Sequence, residues 1–273
     1  MKNHGLASRL GGLLSLLFVL LGLSVVAAPA SSADPGCVNG GVLSIFARGS
    51  QGSVNFQSAE SSSFYHAVQN KLGGLPFQQV DLGNIDGDNT LERGEYPAVG
   101  MADWGILSGL NGYYASVGIG ATELATYLEK RSATCPNEVY LLGGYSQGAE
   151  VVGYAITAVD QRVRDQIGYV ALFGDPRFNP GCINGHRASS ARGSAGCTGG
   201  VLGARQPYLP TDLVNRTGSW CDADDGICSR NPARLTGPLS THAKYPAKWI
   251  PEAGAQAAPI LRSRLGWAPL PTF

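Results

Sequence analysis

One serine of the chain stands in a context that favours nucleophilic catalysis. Residues 139–152 read VYLLGGYSQGAEVV, in which an apolar, strand-forming run meets a glycine-rich turn at Ser146 and a helix-forming segment follows. In a strand–turn–helix context, the pattern G-x-S-x-G raises a serine hydroxyl above the end of the strand. Glycine suits Gly144 and Gly148, where neighbouring backbone comes too close for a Cβ atom. We therefore interpret Ser146 as a nucleophile rather than as an idle serine in a chain with 38 glycines.

A serine nucleophile needs a base that accepts its proton, and the chain has only four histidines to supply one. His4 falls in the apolar leader, His66 lies upstream in a predicted helix, and His186 lies in a glycine- and arginine-rich segment. In hydrolases built around this motif, the chain order is nucleophile, acid, base. Of the four, His242 alone leaves room for an acid between the serine and itself in a structured context, so we predict it as the base.

The base in turn needs a carboxylate that orients its ring, and two places could supply one. Asp175 ends a predicted buried strand downstream of the serine, a common position for such an acid. Asp222, Asp224 and Asp225 lie in a short acidic loop between Cys221 and Cys228. The residues alone leave the choice between Asp175 and this loop open.

The elements around these residues alternate between strand and helix. Apolar runs predict strands at 42–47, 78–82 and 167–173 besides the one that leads to Ser146, and helices are predicted at 58–72, at 122–131 and from the serine to about 158. Such alternation is typical of a mostly parallel sheet covered by helices on both faces.

Two segments break this pattern. Residues 179–219 are rich in Gly, Ser, Arg and Pro, and we interpret them as a loop-rich excursion that contains Cys182 and Cys197. Residues 84–95 space their acidic and amide side chains somewhat like a calcium loop. However, Asn89 occupies the position at which such a loop needs glycine, so a solvated turn is the preferred interpretation and no metal is predicted.

The first 33 residues have the features of a secretory signal peptide. A basic start at Lys2 and Arg9 precedes an apolar run over 10–26, and cleavage is predicted after Ala30 or Ala33. A membrane anchor is the alternative, but the small residues that follow the run favour cleavage. We therefore expect a secreted, extracellular protein whose single domain covers residues 34–273.

The composition of that domain limits its partners. Without Lys2 and Arg9, 18 basic residues face 20 acidic ones, and no basic stripe is present, so a nucleic-acid partner is not expected. An even number of cysteines in an exported chain predicts disulfides. Zinc binding by the cysteines is disfavoured, because no C-x2-C pair occurs and His is scarce. The six cysteines are Cys37, Cys135, Cys182, Cys197, Cys221 and Cys228.

Several motifs together resemble one family. They are Ala47-Arg48-Gly49-Ser50, Cys135-Pro136, Gly143-Gly144-Tyr145-Ser146-Gln147-Gly148 and the spacing C-x3-D-x2-C. This combination is similar to that of the cutinases and their actinobacterial cutinase-like relatives, over about residues 36–249. The resemblance implies a single-domain α/β-hydrolase fold with little or no lid.

The resemblance also implies roles for particular residues. Asp225 takes the position of the family's acid, and Ser50 and Gln147 take those of the donors that stabilise the oxyanion. Disulfides are implied between Cys37 and Cys135 and between Cys221 and Cys228, which leaves Cys182 to pair with Cys197.

The implied activity is that of a serine esterase without a cofactor. Its expected substrates are esters of the cutin, polyester or lipid type, bound by a monomer at an open apolar site that could contact a lipid or polymer surface. The same residues would also serve a lipase, a phospholipase, an acetylxylan esterase or an acyltransferase of the cell envelope. A binding protein on an inactive hydrolase scaffold is a further alternative.

Overall fold

The structure is a computed structural model that describes most of the chain after the leader. The described residues are 36–52, 57–100, 106–178, 199–206, 209–222, 224–229 and 241–268. They all fall within one of the two units into which the chain divides, Ser31–Phe273. The predicted signal peptide, Cys182, Cys197 and His186 lie outside the described residues.

A central sheet of five parallel strands is formed within this part of the chain. In order across the sheet, the strands are β2, β1, β3, β4 and β5. Their bounds are β1 Val42–Ala47, β2 Phe77–Asp81, β3 Val139–Tyr145, β4 Ile167–Phe173 and β5 Thr217–Trp220. Strands β1 and β4 are buried along their whole length, as their largely apolar runs predict. The predicted mostly parallel sheet is confirmed.

Helices cover both faces of this sheet. Their bounds are α1 Ala59–Gln69, α2 Ile106–Thr134, α3 Gln147–Ala158, α4 Gln161–Gln166, α5 Tyr245–Lys248 and α6 Ile250–Arg264. Successive residues of β4 alternate between the faces: Leu172 packs with the α2 and α3 side, and Phe173 packs with the α1 and α6 side. Each face therefore has its own apolar core.

Helices α1 and α6, from opposite ends of the described chain, pack closely against each other. A Cβ atom on Gly254 would lie 2.4 Å from the carbonyl oxygen of Ala67, so glycine permits this approach. The guanidinium of Arg262 donates a hydrogen bond of 2.6 Å to the carbonyl of Leu72, 190 residues earlier. The second face of the sheet is thus closed by the last helix.

Two predicted segments differ from what the structure contains. The helix predicted at 122–131 is the second half of the 29-residue helix α2. The excursion predicted at 179–219 ends earlier, because a 3-10 helix (Thr211–Arg216) and then β5 begin inside it. Strand β5 reads TGSW, and tertiary pairing with β4 rather than its own propensity makes it a strand.

Two disulfides tie the described residues together. One joins Cys37, before β1, to Cys135, after α2, and the other joins Cys221 to Cys228 after β5. These are the pairings that the family resemblance implied for these four residues. No described helix is both long enough and apolar enough to span a bilayer.

Candidate active site

Ser146 lies in the sharp turn between β3 and α3. Its backbone has φ 53° and ψ −120°, a conformation that residues other than glycine rarely adopt. The turn is held by its N–H, which donates to the carbonyl of Phe173 at 2.8 Å, and by its own carbonyl, which accepts from the N–H of Ala149 at 3.0 Å. Strained backbone of this kind is typical of functional sites.

The glycines that flank the serine are required by close backbone contacts. A Cβ atom on Gly144 would lie 2.4 Å from the carbonyl oxygen of Gly148. A Cβ atom on Gly148 would lie 2.0 Å from the carbonyl oxygen of Ala47 in β1. The start of α3 therefore packs directly on the ends of β1 and β3, which fixes the position of Ser146.

His242 and Asp225 are in direct contact. The Nδ1 atom of His242 lies 2.7 Å from Oδ2 of Asp225, and the carboxylate is fully buried. The other carboxylate oxygen accepts a hydrogen bond of 2.8 Å from the N–H of Ile227. The Nε2 atom of His242 is buried and has no hydrogen-bond partner among the described residues. This arrangement leaves Nε2 as the nitrogen that could accept a proton.

The other candidate aspartates have other partners. Asp175 is buried, pairs with the guanidinium of Arg205 and accepts from the N–H of Arg177 at 2.8 Å. Asp222 pairs with Lys248, and Asp224 is exposed. Of the four aspartates between which the sequence left a choice, the one in contact with His242 is Asp225.

The residue before Asp175 nevertheless shapes the site. Gly174 ends β4 with φ +60°, and a Cβ atom there would lie 2.7 Å from Cε1 of His242 and 3.3 Å from Oδ2 of Asp225. Glycine at this position therefore leaves room for the imidazole ring. Only its place after a predicted strand could have indicated this role from sequence.

Two tyrosines that sequence reasoning missed hold the pair. The hydroxyl of Tyr145 donates to the carbonyl of His242 at 2.8 Å, and the two rings lie 4.9 Å apart. The hydroxyl of Tyr245 donates to Oδ2 of Asp225 at 2.7 Å. Burial, and next the negative charge of Asp225, raise the pKa of Tyr245 well above its usual range, so this hydroxyl keeps its proton. The available signal was that Tyr145 directly precedes Ser146 and that Tyr245 follows His242 by three residues.

The two residues predicted to stabilise an oxyanion both lie just beyond the carboxyl ends of neighbouring strands, β1 and β3. Gln147 is the first residue of α3, so its backbone N–H has no acceptor within the helix. Ser50 is exposed in the turn after β1. Arg48 holds this turn by donating to the carbonyls of Gly52 at 2.8 Å and Leu82 at 2.7 Å.

A cavity connects these residues. It has a volume of about 360 Å³, and Ser50, Ser146 and His242 all line it. The rest of its wall is largely apolar and includes Tyr113, Tyr145, Pro176, Ile227 and Ala243. The structure thus brings the predicted nucleophile, base and one oxyanion donor to a single opening, with the acid behind the base.

The loop that resembled a calcium site contains a cluster of acidic side chains. Asp86, Asp88 and Glu92 place carboxylate oxygens within 4.8 Å of one another, and all three residues are exposed. Asp88 accepts hydrogen bonds from the N–H and hydroxyl of Thr90, which lower the pKa of its carboxyl. These internal bonds are those of a local turn.

Comparison with known proteins finds similarity to esterases. The family model described as Cutinase matches residues 37–262. Carboxylesterase Culp1 of Mycobacterium tuberculosis is 31% identical over 156 residues, 57% of this chain and 61% of that protein. Acetylxylan esterase 2 of Talaromyces purpureogenus is 26% identical over 65% of this chain and 74% of its own length. The chain therefore spans about three fifths of the length of the Culp1 relative.

Solved structures show the same fold. A cutinase-like protein from Cryptococcus sp. superimposes with a TM-score of 0.60 at 18% identity, covering 87% of this chain and 100% of that one. An acetylxylan esterase gives a TM-score of 0.59 at 23% identity, covering 82% and 98%. The arrangement of sheet and helices described above is thus shared with these proteins.

Proposed function

The chain belongs to the cutinase family, and on that premise we propose that it is a secreted serine hydrolase of carboxylic esters, acting through an acyl-enzyme on Ser146. One observation carries the proposal: the buried His242–Asp225 pair, with the second imidazole nitrogen unpartnered, borders the same cavity as a serine on a strained turn. Nucleophile, base and orienting acid in that relation are the parts that acyl transfer requires.

In the first half of the reaction, the Oγ atom of Ser146 attacks the ester carbonyl and its proton moves to Nε2 of His242. Asp225 accepts the hydrogen bond from Nδ1–H, fixes the tautomer and stabilises the imidazolium. The oxyanion that forms accepts hydrogen bonds from the backbone N–H of Gln147 and from the N–H and hydroxyl of Ser50. When this intermediate collapses, the alcohol leaves with the proton from His242.

In the second half, water gives a proton to His242 and attacks the acyl carbon. The tetrahedral intermediate uses the same oxyanion donors, and its collapse releases the carboxylic acid and returns the proton to Ser146. The two halves therefore need the same residues.

The apolar wall of the cavity supports esters with an aliphatic acyl chain, of the cutin, polyester or lipid type. The similarity to an acetylxylan esterase supports acetyl esters as the second candidate. Rates on p-nitrophenyl esters of increasing chain length, measured beside clearance of a polyester film, separate the two. Activity on acetyl and propionyl esters alone, with an intact film, would favour the second.

Secretion is part of the proposal. It is supported by the signal-peptide features of residues 1–33 and by two disulfides, which persist in oxidising compartments.

The replacement Ser146→Ala tests the activity. We expect ester hydrolysis to fall by about 10⁴-fold or more and labelling by a fluorophosphonate to disappear, because the nucleophile is gone. Ser263→Ala, at an exposed position of α6, is the control and should keep both. Substantial hydrolysis by folded Ser146→Ala would overturn the assignment.

A further inference from the structure

We infer that Tyr96 is a positioning residue for the oxyanion site. It holds the two halves of that site, the turn after β1 with Ser50 and the start of α3 with Gln147, at a fixed distance from each other. This inference rests on the proposed function and adds a residue to it. Tyr96 is fully buried, contributes nothing to the wall of the cavity and has no role in the proton transfers proposed above.

The hydroxyl of Tyr96 lies between the two segments that carry the oxyanion donors. It is 2.9 Å from Oε1 of Gln147, at the start of α3, and 3.0 Å from the carbonyl oxygen of Arg48, two residues before Ser50. One O–H proton is shared between two acceptors, one from each half. The hydroxyl therefore links the turn after β1 to the helix after β3.

The segment 96–99 around Tyr96 repeats this link with backbone groups. The carbonyl of Ala98 accepts from the N–H of Gln51 at 2.7 Å, and the carbonyl of Val99 accepts from Nε2 of Gln147 at 2.8 Å. Each half of the oxyanion site is thus bound to segment 96–99 by more than one hydrogen bond.

Tyr96 is itself fixed at its backbone and its ring. Its N–H donates to a carboxylate oxygen of Glu123 at 2.6 Å, and its carbonyl accepts from the guanidinium of Arg48 at 2.7 Å. A Cβ atom on Gly120 would lie 2.6 Å from the ring, so α2 packs directly on it. A hydroxyl anchored in this way can transmit the rigidity of the core to both donors.

Rigid placement matters because oxyanion donors act only when they already point at the position where charge develops. A displacement of about 1 Å at such a site can cost about 10²-fold in rate. Since the donors sit on separate elements, their mutual distance depends on whatever connects those elements. We expect Tyr96 to affect stabilisation of the tetrahedral intermediate more than binding of the ester.

The test compares Tyr96→Phe with Tyr169→Phe. Both tyrosines are fully buried, and Tyr169 donates its hydroxyl to a glutamine side chain, Gln256, at 3.2 Å on the other face of the sheet. The two variants therefore remove comparable hydroxyls. For each, kcat and KM are measured on a p-nitrophenyl ester after titrating active sites with a fluorophosphonate.

The decisive readout is inhibition by a trifluoromethyl ketone. The serine oxygen adds to its carbonyl carbon, the proton passes to His242, and the former carbonyl oxygen becomes an oxyanion in the site. For Tyr96→Phe we expect kcat to fall about 10- to 100-fold with KM changed by less than about twofold, and Ki to rise by a factor similar to the fall in kcat. A variant that only folds less completely would have fewer active sites and an unchanged Ki.

A second variant tests the same contact from the other side. Gln147→Met keeps the backbone N–H but removes the acceptor of the Tyr96 hydroxyl. If both variants act through one hydrogen bond, the double variant should lose less than the product of the two single losses. Fully multiplicative losses would contradict the inference.

The inference also fails if kcat and Ki of Tyr96→Phe match those of Tyr169→Phe, or if kcat falls while Ki does not change. These outcomes differ from failure of the proposed function. If the proposed function fails, Ser146→Ala still hydrolyses esters. If only the inference about Tyr96 fails, Ser146→Ala is inactive.

Discussion

At the scale of single residues, the candidate site depends on positions that make room as much as on those that react. Gly174 is the clearest example, because the missing Cβ atom is what allows His242 to lie against the end of β4. The glycines of the turn at Ser146 were predicted from the pattern, since sharp strand-to-helix turns carry it. Gly174 was not, because its neighbour His242 is 68 residues away in a chain with 38 glycines.

Gly174→Ala tests this interpretation. The new methyl group would lie within 2.7 Å of the imidazole of His242, so we expect kcat/KM to fall by about 10²-fold as the ring shifts. Gly266→Ala is a matched control, because Gly266 has φ +72° and nothing within 4 Å of the added atom. Both variants should lose about 1–2 kcal/mol of stability from backbone strain, but only the first should lose activity. Equal activities in an ester assay would contradict the prediction.

The choice of the proposed acid could not be made from the local sequence. Asp175 follows a predicted strand and Asp225 lies in a short acidic loop, and no local feature decides between them. The two aspartates differ in partners that lie far away in sequence. Asp175 forms an ion pair with Arg205. Asp225 instead contacts His242 and accepts a hydrogen bond from Tyr245. The family resemblance supplied the choice that local pattern could not.

At the scale of elements, strands β1 to β4 were predictable from sequence, and the edge strand β5 was not. Strands β1 and β4 are buried on both faces, and each is an apolar run apart from Ser44 in β1. Strand β5 is only four residues long and pairs with β4 alone. Two of its residues, Gly218 and Ser219, are small. Its sequence could not be distinguished from a loop.

The segment 199–206 is another element whose role emerges from contacts. Arg205 is buried, pairs with Asp175 after β4 and donates to the carbonyl of Glu150 in α3 at 3.1 Å. The N–H of Val201 donates to the carbonyl of Ile227, beside the acid, at 2.7 Å. The segment thus joins helix α3, which begins after Ser146, to the loop that contains Asp225.

Removing the charge of Arg205 should therefore cost stability. Arg205→Met leaves the buried carboxylate of Asp175 without its cation, and we expect the free energy of unfolding to fall by about 3–5 kcal/mol. Arg162→Met breaks an exposed pair with Asp160 and should cost less than about 1 kcal/mol. Denaturant unfolding of both variants checks this, and a loss for Arg205→Met no greater than for Arg162→Met would refute the segment's role.

At the scale of the whole molecule, two carboxyl groups near the sheet edge make stability depend on pH. Burial, the largest cause in both cases, raises the pKa of Asp81 to about 6 and that of Glu123 to about 7. In the unfolded chain these groups return to ordinary values near 3.8 and 4.5. Between these values, these two groups therefore bind more protons in the folded protein than in the unfolded chain.

It follows that both groups contribute fully to the free energy of unfolding below pH about 4, and that this contribution is lost as pH rises through about 6 to 7. Thermal unfolding between pH 4.5 and 7.5 should show a smaller decline in Tm for Glu123→Gln than for the wild type, because the amide does not titrate. Glu129→Gln, exposed on the same helix, should follow the wild type. A decline for Glu123→Gln as steep as that of the wild type would show that Glu123 is not responsible.

The contact between α1 and α6 also determines when, during synthesis, one face of the sheet can be covered. Helix α1 lies near the start of the domain, and the helix that covers it is the last one described, with 190 residues between Leu72 and its partner Arg262. Such distant contacts slow folding, because the loop between them must close before they contribute. During synthesis, α1 and its face of the sheet stay uncovered until residue 264 has been made. This face of the sheet is therefore covered only after the elements that carry Ser146 and His242 have been made.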